Sequence, residues 1–230
     1  MTADPNLPDG FVGLDRYEWL GKLAERLPDD ALVMATYIGA VSFEWAHHTD
    51  EHPRSAHLGQ MGDVIGLAVG LALALPHRKV VCLDGDGSVL MELGQLVAMG
   101  QLCPANLVVF VADNACYESI GWGGAGRRPT ATASSTDLAA MAAAAGVPHT
   151  ATVETWEHLD AEMEKAFTTN VCSFIDVRTL PGHARVPPRQ TDGFEDKYRF
   201  VRYVEQLEGI QVMGLARQDR QLMKGQNAAH

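Results

Sequence analysis

Residues 80–117 constrain the fold more than any other stretch. An apolar run, Val80 to Leu83, breaks into Asp84-Gly85-Asp86-Gly87-Ser88, continues at helical period to about Leu102, and gives way to a second apolar run closing on Asp113-Asn114. This reads as strand, crossover helix, strand. A helical crossover returns the chain to its starting edge, so the two strands are parallel and end at the same rim of a sheet. Asp86 and Asn114 thereby become neighbours although 28 positions separate them (114 minus 86). Strands lie about 4.8 Å apart and a small hard cation takes oxygen ligands at roughly 2.1 Å, so one carboxylate and one amide oxygen can share an ion. Gly85 and Gly87 permit the turn and a close backbone approach, and Ser88 opens a helix whose N-terminus favours anions. The expected site is a metal-bound phosphate group at the carboxyl edge of a parallel sheet.

Two other readings compete. Asp84-x-Asp86-x-Ser88 resembles the start of an EF-hand, but that loop needs Gly at its sixth position and Glu at its twelfth, where this chain has Val89 and Gln95. A plain structural turn is the other.

The combination Gly85-Asp86-Gly87-Ser88 with Asn114 resembles the signature of the thiamin diphosphate (ThDP) enzymes. The resemblance implies that Asp86, the Asn114 side chain and the Cys116 carbonyl hold Mg2+, with Ser88 and Tyr117 near the diphosphate. It extends to Ile38-Gly39, where Gly39 lies beside the diphosphate; the hydroxyl usually found next to that Gly is replaced by Ala40 and Val41, so either Ser42 substitutes for it or the contact is absent. It also covers Gly59-Gln60-Met61-Gly62, where Gly59 contacts the aminopyrimidine and Met61 wedges under the bent cofactor. Residues 15–179 are similar to the diphosphate-binding half of such an enzyme, most of all the separate small subunit of sulfopyruvate decarboxylase and the matching half of phosphonopyruvate decarboxylase. The insertion from Trp122 to Arg128 departs from the compact Gly-Gly-Gln-Pro-Thr of those decarboxylases and argues against a sulfonate or phosphonate substrate.

The fold class expected is α/β: a single doubly wound domain over residues 1–182, a parallel sheet flanked by helices, followed by a linker and helical extension over 183–230. Helices are expected at 15–27, 63–75, 137–145, 156–169 and 198–208, and strands at 31–37, 149–153 and 173–178, in alternating βα order. Residues 43–57 read as a loop carrying His47, His48, His52 and His57. Zinc ligation, solvation, and proton transfer or substrate binding by His47 or His48 are the readings weighed, with the last as the catalytic assignment. The glycine-rich segment after Asn114 reads as a lid over substrate, and Arg127 and Arg128 as carboxylate-binding or merely solvated. The helix at 63–75 is apolar on every face, which implies cover by the sheet on one side and by a partner subunit on the other. Phe200, Val204 and Leu207 are expected to dock on a partner.

Composition bounds the function. Lys and Arg number 18 against 29 acidic residues, a net charge of -11 with no basic stripe, so nucleic acid and anionic membranes are poor partners. The four cysteines form no C-x-x-C pair, the N-terminus is unlike a signal peptide, and no apolar stretch reaches bilayer length, so a cytoplasmic location is expected. The resemblance implies ThDP- and Mg2+-dependent decarboxylation of a 2-oxo acid. Because the remaining residues are too few for a second sheet, it also implies a heteromer, α2β2 or larger, in which a separate aminopyrimidine-binding subunit supplies the activating Glu. A carboligase making acyloins or acetolactate-type products, and a non-catalytic cofactor-binding or regulatory subunit, are the alternatives. A ferredoxin-linked oxidoreductase is disfavoured by the lack of clustered cysteines.

Overall fold

The computed structural model describes residues 11–118 and 127–213. Its centre is a six-stranded, wholly parallel sheet built from β1 (Leu32–Thr36), β2 (Ser55–Leu58), β3 (Val80–Gly85), β4 (Leu107–Asp113), β7 (His149–Val153) and β8 (Ser173–Arg178), in the order β2-β1-β3-β4-β8-β7. A two-stranded antiparallel ribbon, β5 (Cys116–Tyr117) with β6 (Arg128–Pro129), stands apart from it. The chain runs from β1 out to the β2 edge, returns across to β3 and continues to β4 on the other side, so the β1–β3 crevice is where the connections diverge to opposite sides.

Both faces of the sheet are buried, as its near-continuous apolar strands require. Alternate residues feed two cores. Leu32, Met34, Cys82 and Val109 point to one, covered by α3 (Val64–Ala74), α5 (Gly94–Leu102), α6 (Leu138–Ala144) and α8 (Gly193–Glu208). Val33, Ala35, Leu83 and Phe110 point to the other, covered by α1 (Arg16–Arg26), α2 (Ala40–His48) and α7 (Trp156–Thr168). Polar caps start several helices: Asp15 accepts the Glu18 N–H at 3.0 Å, and Asp192 accepts the N–H groups of Phe194 and Glu195.

The structure corrects four expectations. The crossover between β3 and β4 is two helices, α4 (Asp86–Met91) and α5, because Glu92 leaves helical geometry (φ -142°, ψ 70°) and its carboxylate takes the Gly94 N–H at 3.2 Å. Residues 43–57 are not a loop: they contain most of α2, a turn, and most of β2, whose first three residues Ser55, Ala56 and His57 are buried on both faces of the sheet. Alternation is too short there, over four residues, to register as a strand. The helix expected at 198–208 begins earlier, at Gly193, and Phe200 and Val204 dock on the chain's own core against β2 rather than on a partner. The stretch 181–192 is pinned to the domain: Gly182 and Ala184 donate backbone N–H groups to Glu118 and Glu44, Gln190 and Thr191 to Glu51, and Arg189 contacts Ser42 and Asp196. Among the described residues no helix is long and apolar enough to cross a membrane.

Candidate active site

Parallel register sets the site. Gly85 pairs with Ala112 across β3 and β4, so Asp86 and Asn114 emerge together just past the strand ends. Both line one cleft of about 80 Å3 at the carboxyl edge, with Gly39 and Ala40 from the start of α2, Met61 from the turn before α3, and Gly87, Ser88, Cys116 and Tyr117. Gly39 has φ +93°, a conformation disfavoured for other residues, and a Cβ built there would meet nothing within 4 Å. It therefore serves the turn and leaves the cleft open. Gly87 is needed for close approach, since a Cβ there would lie 2.5 Å from Tyr117 Cε1.

Asp86 lines the cleft, and three further carboxylates are buried near it without lining it. Asp84, Asp86, Asp113 and Asp176 are all buried at or near the carboxyl ends of β3, β4 and β8. Burial, reinforced by Asp113, pushes the Asp86 carboxyl up to about 7, against hydrogen bonds from Thr130 and Thr132 at 2.6 and 3.2 Å. Burial also pushes Asp84 up to about 7, opposed by Ser88 and the Gly85 N–H. Asp176 is raised well above the usual range by burial and then Asp113, and neither of its oxygens has a hydrogen-bond partner. Asp113 accepts from Thr132 and Ala115 and pairs with Arg178. Among the described residues Arg178 is paired with Asp113, while Asp86 beside it resists ionisation in low dielectric, a condition that a bound divalent cation relieves. Oxygen donors alone, an acid and an amide, suit a hard ion such as Mg2+. Thr36 Oγ1, buried on the cleft wall without a partner, offers a further hydroxyl to a ligand.

This arrangement matches known proteins. Residues 37–177 match the family described as "Thiamine pyrophosphate enzyme, C-terminal TPP binding domain". The chain belongs to the thiamine pyrophosphate enzymes. It is 30% identical over 190 residues to sulfopyruvate decarboxylase subunit beta of Methanocaldococcus jannaschii, covering 83% of this chain and 97% of that protein. It is 36% identical over 163 residues to phosphonopyruvate decarboxylase of Streptomyces viridochromogenes, covering 71% of this chain but only 39% of that protein. The fold is shared with the thiamine diphosphate-dependent 4-hydroxybenzoylformate decarboxylase of Rhodococcus jostii RHA1, at TM-score 0.57 and 22% identity, over 75% of this chain and 34% of that one.

Within this thiamine pyrophosphate domain, the expected site residues divide. Gly39, Met61, Gly85, Asp86, Gly87, Ser88, Asn114, Cys116 and Tyr117 share the cleft. Gly59 adjoins it through the turn that carries Met61 and has φ +88°. Ser42 is buried one turn into α2, where its hydroxyl accepts from Arg189 at 3.3 Å instead of facing the cleft. His47 and His48 do not reach the site. They end α2, which runs antiparallel to the strands and so carries them toward the opposite edge, where His48 stacks on Tyr17 at 4.1 Å and bonds its carbonyl. His57 is buried at β2 beneath α8, with its ring Nδ1 3.4 Å from Asp196 Oδ2 but no hydrogen bond to either ring nitrogen. Among the described residues no group of His, Cys, Asp and Glu is arranged as a metal cluster of three, which leaves zinc ligation by these histidines without support. Arg127 approaches Glu118 at 3.5 Å, Arg128 is exposed on β6, and the expected lid lies mostly outside the described residues.

Sequence reasoning missed Arg16, Glu44, Glu118, Thr130 and Thr132. Arg16 on α1 is buried, lines the cleft, and binds Glu44 at 2.9 Å and Glu118 at 3.4 Å, with a further bond to the Gly182 carbonyl. Burial alone would lower its pKa, but the two carboxylates raise it. No local signal marks such a network, because its members are 28 and 102 positions apart.

Proposed function

We propose that the chain is the diphosphate-binding subunit of a ThDP- and Mg2+-dependent 2-oxo acid decarboxylase. The observation that carries this is the convergence of Asp86 and Asn114 in one cleft at the carboxyl edge of the sheet. Asp86, Asn114 and the Cys116 carbonyl would hold the metal, and Gly39, Gly85, Gly87, Ser88 and Tyr117 the diphosphate. Gly59 and Met61 would contact the rest of the cofactor. Bound thiamin diphosphate supplies an electron sink that permits loss of CO2 from a 2-oxo acid. The chain's residues orient and enclose: Met61 presents a bulky apolar side chain at the cleft.

The cleft of about 80 Å3 accommodates a metal and a diphosphate, far less than a whole-cofactor site. The remainder of the cofactor would be held by a separate aminopyrimidine-binding subunit, in keeping with the β-subunit relatives. A surface for it exists. Leu67 and Leu73 of α3 are exposed beside Gly66 and Gly70, and Met91 and Val97 continue the patch from α4 and α5. Calorimetric titration of the chain with ThDP, with and without Mg2+, tests the reading. Binding that requires Mg2+ and is lost in Asp86→Ala supports it, and metal-independent or unchanged binding removes it.

A further inference from the structure

Met61 stands in the cleft on a short turn, and one side chain decides where that turn sits. The turn closes on itself: the Gln60 carbonyl accepts the Asp63 N–H at 3.2 Å, and the Asp63 carboxylate accepts the Gln60 N–H at 3.1 Å. Gln60 and Asp63 are exposed, so these bonds shape the turn but do not reach the α4 side of the cleft. The bond that does is buried. The Gly62 N–H donates to the Ser88 hydroxyl at 2.9 Å, across 26 positions of sequence. Gly62 also packs on the end of α4, so closely that a Cβ built there would lie 3.0 Å from Glu92 Cβ.

This arrangement leaves the Ser88 hydroxyl little to offer a ligand. A serine hydroxyl has one proton and two lone pairs. One lone pair takes the Gly62 N–H, and the proton bonds the Asp84 carboxyl. What remains is a lone pair, which repels a phosphate oxygen. An ionised phosphate accepts hydrogen bonds and donates none, so the hydroxyl could serve it only by abandoning Asp84. Asp84 is wholly buried and takes the Gly85 N–H at 2.9 Å, so losing the Ser88 proton would remove a donor from a carboxyl that water cannot reach. The hydroxyl is therefore committed to the turn on one side and to the end of β3 on the other.

We propose that the Ser88 hydroxyl is a positioning group for Met61 and not a ligand of the diphosphate: it couples the turn that carries Met61 to the junction of β3 with α4. Ser88 can then reach the diphosphate only through its backbone N–H. The proposal rests on the reading of the cleft as the cofactor's. It deepens that reading by separating the groups that hold the diphosphate from one that sets the contact with the rest of the cofactor.

The test compares Ser88→Ala with the wild-type full chain in two ways: calorimetric titration with Mg2+ and either ThDP or inorganic pyrophosphate, and NMR of isotopically labelled methionine methyls in the ligand-free chain. Pyrophosphate reports on the diphosphate-binding groups alone. Ser88→Ala should lose at least about tenfold in ThDP affinity, the scale of one buried hydrogen bond, and less than about threefold in pyrophosphate affinity. The Met61 methyl should shift or broaden while those of the buried Met34 and Met99 keep their positions, which separates a displaced turn from a damaged fold. Equal losses for the two ligands would make the hydroxyl a phosphate ligand and overturn the proposal. An unchanged ThDP affinity or an unmoved Met61 methyl overturns it as well. Should Ser88→Ala not fold, amide exchange in the wild type decides: the Gly62 N–H should be protected and stay so with Mg2+ and pyrophosphate, whereas its release by pyrophosphate would show the hydroxyl turning to the anion. If neither ligand binds the wild-type chain, the cofactor reading fails, and the Met61 methyl and the Gly62 exchange in the ligand-free chain still judge the coupling.

Discussion

Asp86 is held in the folded chain at a cost. Its carboxyl is raised to about 7 from a reference of 3.8, chiefly by burial and then by Asp113. The native state therefore binds an extra proton between those values. The resulting penalty is absent below about pH 4 and grows as pH rises, becoming full above about 7, where roughly 1.4 kcal/mol per pKa unit sets its ceiling. Asp86→Asn should consequently raise the melting temperature of the metal-free chain, and by more at pH 8 than at pH 5. The same substitution should weaken Mg2+-dependent ThDP binding by at least about tenfold. In the wild type, Mg2+ affinity should fall as pH drops below about 7, because metal and proton compete for the carboxylate. Scanning calorimetry at the two pH values and metal titrations across them check both signs. A melting temperature lowered equally at pH 5 and pH 8 would show that Asp86 is a stabilising group and not a strained ligand.

At the scale of elements, two junctions carry testable energies. Gly100 lets α5 lie against the end of α6: a Cβ there would stand 2.0 Å from the Ala145 carbonyl oxygen, and backbone cannot move aside as a flexible side chain can. Gly100→Ala should cost about 2–3 kcal/mol, the upper part of the usual overpacking range, measurable as a lower urea midpoint at unchanged slope. The docking of α8 on β2 is pH-sensitive. Asp196 accepts the His57 backbone N–H at 2.7 Å, and burial holds the His57 ring below its usual 6.5 even though Asp196 opposes this. With a depressed folded pKa, the neutral ring's contribution is complete above about 6.5 and is lost as pH falls below it. The decline in stability between pH 6.5 and 5 should be shallower in His57→Gln than in the wild type; parallel curves would mean that the ring is not kept neutral by its surroundings. Neither junction is legible locally. Gly100 looks like any glycine in an apolar helix, and the strand of His57 is four residues long and preceded by a helix that breaks no pattern rule.

At the scale of the whole molecule, exposed apolar side chains gather on the helices beside the cleft. The exposed stripe of Leu67 and Leu73, flanked by Gly66 and Gly70 and extended by Met91 and Val97, is apolar in a chain of net charge -11. Leu67→Arg with Leu73→Arg should leave the fold and its melting temperature nearly unchanged, since both residues are about half exposed (43% and 48%), but prevent co-purification of the chain with the partner subunit proposed above. Retained association would place the interface elsewhere. By itself, the sequence determined the parallel sheet, the helices with strong caps or period, and the meeting of Asp86 with Asn114, because a strand-helix-strand unit has a fixed hand and fixed spacing and so carries two chemically distinctive residues to one rim. Only the tertiary structure decided that His47 and His48 end on the far edge, that Ser42 turns to Arg189, and that Arg16, Glu44 and Glu118 lock residues 181–192 onto the domain. Those outcomes depend on contacts between residues distant in the chain, whose energies come from burial and charge pairing and leave no periodic trace along it.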